Sequence, residues 1–112
     1  MNKVQQINLE RGLPTVDEAV RRMKNDLATA KMSGYKAAIL IHGYGSTGVG
    51  GAIKPAVCKN LSQPRLVGIV KDWVCGENWQ SKKILFLAHC PALKEHSRHI
   101  DGNAGITVVL LK

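Results

Sequence analysis

The feature that most constrains this chain is a long, capped amphipathic helix between two apolar strands. Thr15-Val16-Asp17-Glu18 places a hydroxyl at a helix N-cap and a carboxylate three residues later, the reciprocal pattern of a capping box. Val16, Ala19, Val20, Met23, Leu27 and Ala30 follow at helical spacing and form one apolar stripe. Arg21, Arg22, Lys24, Asn25 and Asp26 occupy the other face. The helix is expected to stop near Ser33-Gly34, where glycine takes the left-handed C-cap conformation. Before it, Val4, Ile7 and Leu9 alternate with polar residues and predict a strand ending near Glu10, broken by Gly12-Leu13-Pro14. After it, Lys36 to His42 reads as a buried strand, apolar on both faces. Strand, helix and buried strand make a βαβ unit, so the two strands are expected to be parallel.

The rest of the chain reads less evenly. Ala52 to Leu61 predicts a second helix, with Pro55 placed in its first turn, where a missing N–H costs little. Leu66 to Val74 is a candidate third strand, and the β-branched run Gly105 to Leu111 a last one. Ser81 to Ala88 fits either a short helix capped by the serine or a strand, and Pro91 ends it either way. The polar stretch "KEHSRHIDGNA" reads as a surface loop.

With 112 residues the chain holds one domain, 1–112, since the length suits a single core and not two. Its longest apolar run, Ala37 to Ile41, is far short of the roughly 20 residues of a membrane span. The N-terminal stretch lacks a signal-peptide pattern, so a cytoplasmic setting is expected. A formal net charge of +8 favours polyanionic partners, nucleic acid above all. Cys58, Cys75 and Cys90 are odd in number and irregular in spacing, which argues against a disulfide framework. With His89, His96 and His99 they match no zinc spacing, so no metal is assigned; the expectation is free, partly buried thiols.

Between the second strand and second helix lies Gly43-Tyr44-Gly45-Ser46-Thr47-Gly48, a G-x-G-x-x-G sequence. As a dinucleotide fingerprint it has its strand, its helix and an acidic residue, Asp72, at about the required 20-residue remove, but too few residues for the complete fold. As a Walker A loop it fails, because Val49-Gly50 stands where Lys-Ser/Thr is needed. Both motifs share one physical device, in which glycines let backbone amides approach an anion at a helix N-terminus. Lys54 adds a mobile cation. His42 ends one strand of the parallel pair, while Asn8 and Glu10 end the other and point away from the core. A plainer reading has His42 hydrogen-bonding the loop and the glycines serving only to turn the chain.

Ile41-His42-Gly43-Tyr44-Gly45 resembles the H-G-x-G motif of the Smr, or small MutS-related, domain family. Gly51-Ala52-Ile53-Lys54 resembles the start of that family's second helix, and Gly105 to Leu110 its closing strand. The resemblance covers nearly the whole chain. It implies an α/β two-layer sandwich, ordered β-α-β-α-β-(short helix or extra strand)-β on a mixed sheet, like the C-terminal domain of translation initiation factor three. It also implies binding of DNA or RNA and, in some members, endonuclease activity. The family's first motif, Leu-Asp-x-His-Gly, is here Ile7-Asn8-Leu9-Glu10-Arg11-Gly12, with asparagine for the aspartate, glutamate for the histidine and one extra residue. Two functions follow. A binding module would hold phosphates on the amides of Gly43, Tyr44, Gly45 and Gly48, with Lys54, Arg11 and Arg65 adding charge and Tyr44 stacking on an unpaired base. A phosphodiester hydrolase would use His42 as general acid or base with Glu10 as its partner or as a ligand to a divalent metal. A third reading, a small-molecule or nucleotide-phosphate site without nuclease activity, draws on the same loop; its dinucleotide form needs Asp72.

Overall fold

A computed structural model describes residues 4–12, 14–43, 49–63, 66 and 68–112. Tyr44, Gly45, Gly48 and Arg65 therefore lie outside the described residues. Four strands, β1 (Val4–Asn8), β2 (Ala37–Ile41), β3 (Val70–Cys75) and β4 (Ile106–Leu111), form one sheet in the order β1-β2-β4-β3. The first pair is parallel, with Val4 opposite Ala37 and Asn8 opposite Ile41. β4 runs antiparallel to β2 on one side and to β3 on the other, with a register shift between Val70 and Asp72.

The parallel pair exists because α1 (Val16–Met32) carries the chain back across the sheet. Its capping box is complete: Thr15 Oγ1 accepts from the Glu18 amide at 3.2 Å, and Glu18 accepts from the Thr15 amide at 3.2 Å. Gly34, at φ +88°, ends the helix. Ala19, Met23, Leu27 and Ala30 of the expected stripe are buried. α2 (Val49–Leu61) packs beside α1 on the same face, over Ile7, Leu9, Ala38, Leu40, Val109 and Leu111. α2 begins earlier than the sequence suggests, so Pro55 falls in its second turn; the proline ring is exposed, where it displaces no core packing.

The opposite face of the sheet is also covered. A 3-10 turn (Gly76–Asn78) leads into α3 (Trp79–His89), a second 3-10 segment (Pro91–His96) and the short α4 (Ser97–Ile100). Trp79, Phe86, Cys90, Leu93 and Ile100 close over Ala37, Ile39, Val74, Ile106, Val108 and Leu110. The Trp79 and Phe86 rings meet edge to face, with centroids 5.9 Å apart. The sheet with α1 and α2 is thus the expected sandwich body, and residues 76–104 lay short helices on its second face. This layer explains why every residue of β4 is buried.

Three local expectations are corrected. The segment 81–88 is helical, but its helix starts at Trp79, and Ser81 donates to the Asn78 carbonyl instead of capping. The stretch 94–104 is largely helical turns with Ile100 buried, because its few apolar residues are needed on the second face. β3 starts at Val70; Leu66 instead sits buried in a turn ahead of it.

Candidate functional site

The parallel pairing brings the ends of β1 and β2 to one edge. The Leu9 amide donates to the Ile41 carbonyl at 2.8 Å, extending the pairing one step past β1. Asn8 Oδ1 then accepts from the Glu10 amide at 2.9 Å and turns the chain. Asn8 thus serves the turn. The amides of His42 and Gly43 both donate to the Gly105 carbonyl at 3.0 Å, tying the start of the loop to the approach to β4. Gly43 has φ +72°, and the Glu10 carboxylate occupies the space that a Cβ there would need. Any other residue would be strained in its backbone and would push Glu10 away. Glu10, His42 and Gly43 therefore converge.

His42 is fully buried. Its Nδ1 lies 2.7 Å from the Gly43 carbonyl, which can only accept, so Nδ1 carries the proton. Nε2 then accepts from the Thr107 hydroxyl at 2.8 Å. Burial holds the imidazole below its ordinary pKa of 6.5, with the nearby Lys54 charge acting in the same direction; the Gly43 bond, Glu10 and Glu77 oppose this. His42 is accordingly a neutral side chain with both nitrogens engaged inside the fold. In this arrangement neither is free to exchange a proton with a bound molecule. The sequence reading missed Thr107, whose signal was one hydroxyl in an otherwise apolar last strand.

Lys54 is not the free cation expected. Its Nζ pairs with Glu77, at the start of the segment that leaves β3. Glu77 had no motif to single it out, and only the fold carries it across to α2. One helical turn beyond Lys54, Cys58 faces Cys75 with the sulfurs 3.8 Å apart. Arg11 is exposed. Its carbonyl accepts from Arg22 Nη1 at 3.0 Å, which brings a second guanidinium to the end of β1. Both arginines line a shallow groove with Gln5, Gln6, Asn8, Asp26 and Ile41.

Asp72 lies on the other face of the sheet. It is opposite Leu110, toward the start of β2, and its carboxylate accepts from Lys82 Nζ at 2.8 Å and from the Trp73 amide at 2.8 Å. The start of β2 is the end opposite Gly43, where the loop begins, so the structure brings no support to the dinucleotide reading that needed this carboxylate. Among the described residues no three His, Cys, Asp or Glu side chains are grouped to hold a metal ion. No helix among them is long and apolar enough to cross a membrane.

A mixed α/β sheet whose chain leaves the carboxyl end of a parallel pair through left-handed Gly43 and continues into α2 defines the class. The Smr domain family profile matches residues 11–112, and the chain belongs to that family. The matched span begins at Arg11, so β1 with Asn8 and Glu10 lies outside it. The Smr domain of Thermus thermophilus MutS2 has a similar structure, with a TM-score of 0.59 and 26% identity over 96% of this chain and 98% of that one. Comparison with curated proteins finds no significant match.

Proposed function

We propose that this chain is a nucleic-acid-binding Smr module that holds backbone phosphates at the carboxyl edge of the β1–β2 pair and binds without cutting. One observation carries the reading. The chain leaves β2 through left-handed Gly43 and enters α2, with Lys54 close enough for its charge to act on His42. A helix N-terminus after a glycine-rich turn attracts anions through its unpaired amides and its dipole. The net charge of +8 favours a polyanion. In this reading the amides from Gly43 to Gly48 take phosphate oxygens, Tyr44 stacks on an unpaired base, and Arg11, Arg65 and Lys54 add charge. His42 holds the Gly43 carbonyl, where the loop begins.

Hydrolysis by His42 and Glu10 is the second reading, favoured by the Glu10 carboxylate lying against Gly43. It requires His42 to give up either Thr107 or the Gly43 carbonyl. Titration of labelled single-stranded and duplex DNA and RNA at two salt concentrations, with magnesium present and products run on a gel, separates the two. The binding reading expects affinity to fall with salt, by about 0.7 log units per log unit of salt for each single-strand phosphate contacted and about 0.9 for duplex, with the oligonucleotide intact. No binding at low salt would remove the first reading. Cleavage that disappears in His42→Ala would establish the second.

A further inference from the structure

Two rungs tie α2 to the end of β3. Lys54 and Cys58 lie four residues apart, on one face of α2, and they meet Glu77 and Cys75 respectively. The first rung is an ion pair and the second a pair of free thiols, both half-buried. Their sulfurs are in contact at 3.8 Å, each pointing at the other. A disulfide needs about 2.05 Å, so closure asks for a movement of about 2 Å between side chains that already face one another. Cys90, by contrast, is buried on the second face among Phe86 and Leu93.

We propose that Cys58 and Cys75 form a redox-sensitive pair that closes into a disulfide when exposed to a small-molecule disulfide, and that closure keeps Lys54 on Glu77 and weakens phosphate binding at the loop edge. The second half rests on the binding reading above; the first does not. The chemistry is thiol–disulfide exchange. The Cys75 thiolate attacks the small disulfide, forming a mixed disulfide and releasing one small thiol. Cys58 then loses its proton and attacks the Cys75 sulfur, releasing the second small thiol. Two protein thiols are oxidised, and one small disulfide is reduced to two thiols. Burial and the Cys75 sulfur alongside push the Cys58 thiol up, to about 11, with Lys54 pulling the other way, and the exchange balances equally if Cys58 opens it and Cys75 resolves it.

Closure matters at the loop edge because Glu77 competes with a phosphate for the Lys54 charge. In this proposal free thiols let α2 and residues 75–77 part for that exchange. With the disulfide formed, the adjacent rung is fixed and Glu77 remains the nearer anion.

The test uses the whole chain, incubated natively with oxidised glutathione and followed by thiol counting, mass spectrometry and titration with a labelled single strand. The proposal expects free thiols to fall from three to one with no retained glutathione. It expects the same loss of two thiols in Cys90→Ser and none in Cys58→Ser or Cys75→Ser, apart from trapped mixed disulfide. The oxidised chain should bind roughly threefold to tenfold more weakly, the scale of one lost phosphate contact, with recovery on reduction. Three persistent thiols, or a glutathione adduct on Cys75 that Cys58 never resolves, would overturn the pairing. Disulfide formation with unchanged binding would overturn the link to Lys54. If the reduced chain binds no nucleic acid, the binding reading fails and takes that link with it, while the thiol count alone decides the disulfide.

Discussion

The two faces of the sheet are built by different means. On one face, α1 and α2 are long enough to present continuous stripes, and their apolar residues recur at helical spacing. On the other, one helix of 11 residues, a 3-10 segment of six and a helix of four share the work, and Pro91 divides them. The first face ends at the loop edge, where His42 bonds Thr107, Glu10 lies against Gly43, and the Lys54 charge acts on His42. The second carries its own lysine–carboxylate pair, Lys82 with Asp72, remote from any such cluster. The contrast teaches that in this fold regular packing and the polar edge belong to the same face. The second face supplies burial for β4 and sends one residue, Glu77, round to the first.

The largest expected effect tests whether the second face is structural. Phe86→Ala should cost about 3–5 kcal/mol, comparable with about 2–5 kcal/mol for Leu27→Ala on the first face. Both should lower the midpoint of one cooperative urea transition. A loss below about 1 kcal/mol for Phe86→Ala, or a separate early transition, would reduce the second layer to a loosely held cover.

The next effect belongs to the buried polar pair. Thr107→Val keeps the shape of the side chain but leaves Nε2 of His42 without a donor, at a cost of about 1–3 kcal/mol. His42 also makes stability depend on pH. Its folded-state pKa lies below 6.5 because of burial, so below that pH the unfolded chain takes up a proton that the folded chain refuses. Stability is therefore fully present above pH 6.5 and falls as pH drops below it, by at most about 1.4 kcal/mol per unit. Urea midpoints from pH 7.5 to 5.5 measure this, and His42→Gln should flatten the dependence. An equal slope in that variant would show that His42 is not the group responsible. Smaller still, Thr15→Ala should cost about 1 kcal/mol through the lost N-cap.

These faces were not equally legible in the sequence. α1 could be bounded because its cap, stripe and terminating glycine all agree, and the parallel pairing followed from it. The second face could not, because 3.6-residue periodicity does not persist through 3-10 turns, so Ile100 looked like a stray in a polar loop. At the site, the alternation of Ile7 and Leu9 with Asn8 and Glu10 turned Glu10 away from the core, and its carboxylate lies against Gly43. The engagement of His42 and Lys54 was hidden, because Thr107 and Glu77 lie 65 and 23 residues away and only the fold brings them in. Asp72 shows the converse: its spacing fitted a motif, but its register on β4, opposite Leu110, put it on the other face.

The two lysine–carboxylate pairs provide the most direct test of the binding edge. Lys54→Ala and Lys82→Ala remove the same charge from opposite faces, and each frees one carboxylate. Titration of a labelled single strand at several salt concentrations should show Lys54→Ala binding more weakly, with its log–log salt slope shallower by about 0.7, one phosphate contact. Lys82→Ala should keep the wild-type slope. Equal slopes in the two variants, or a loss confined to Lys82→Ala, would contradict the placement of the nucleic acid at the α2 edge.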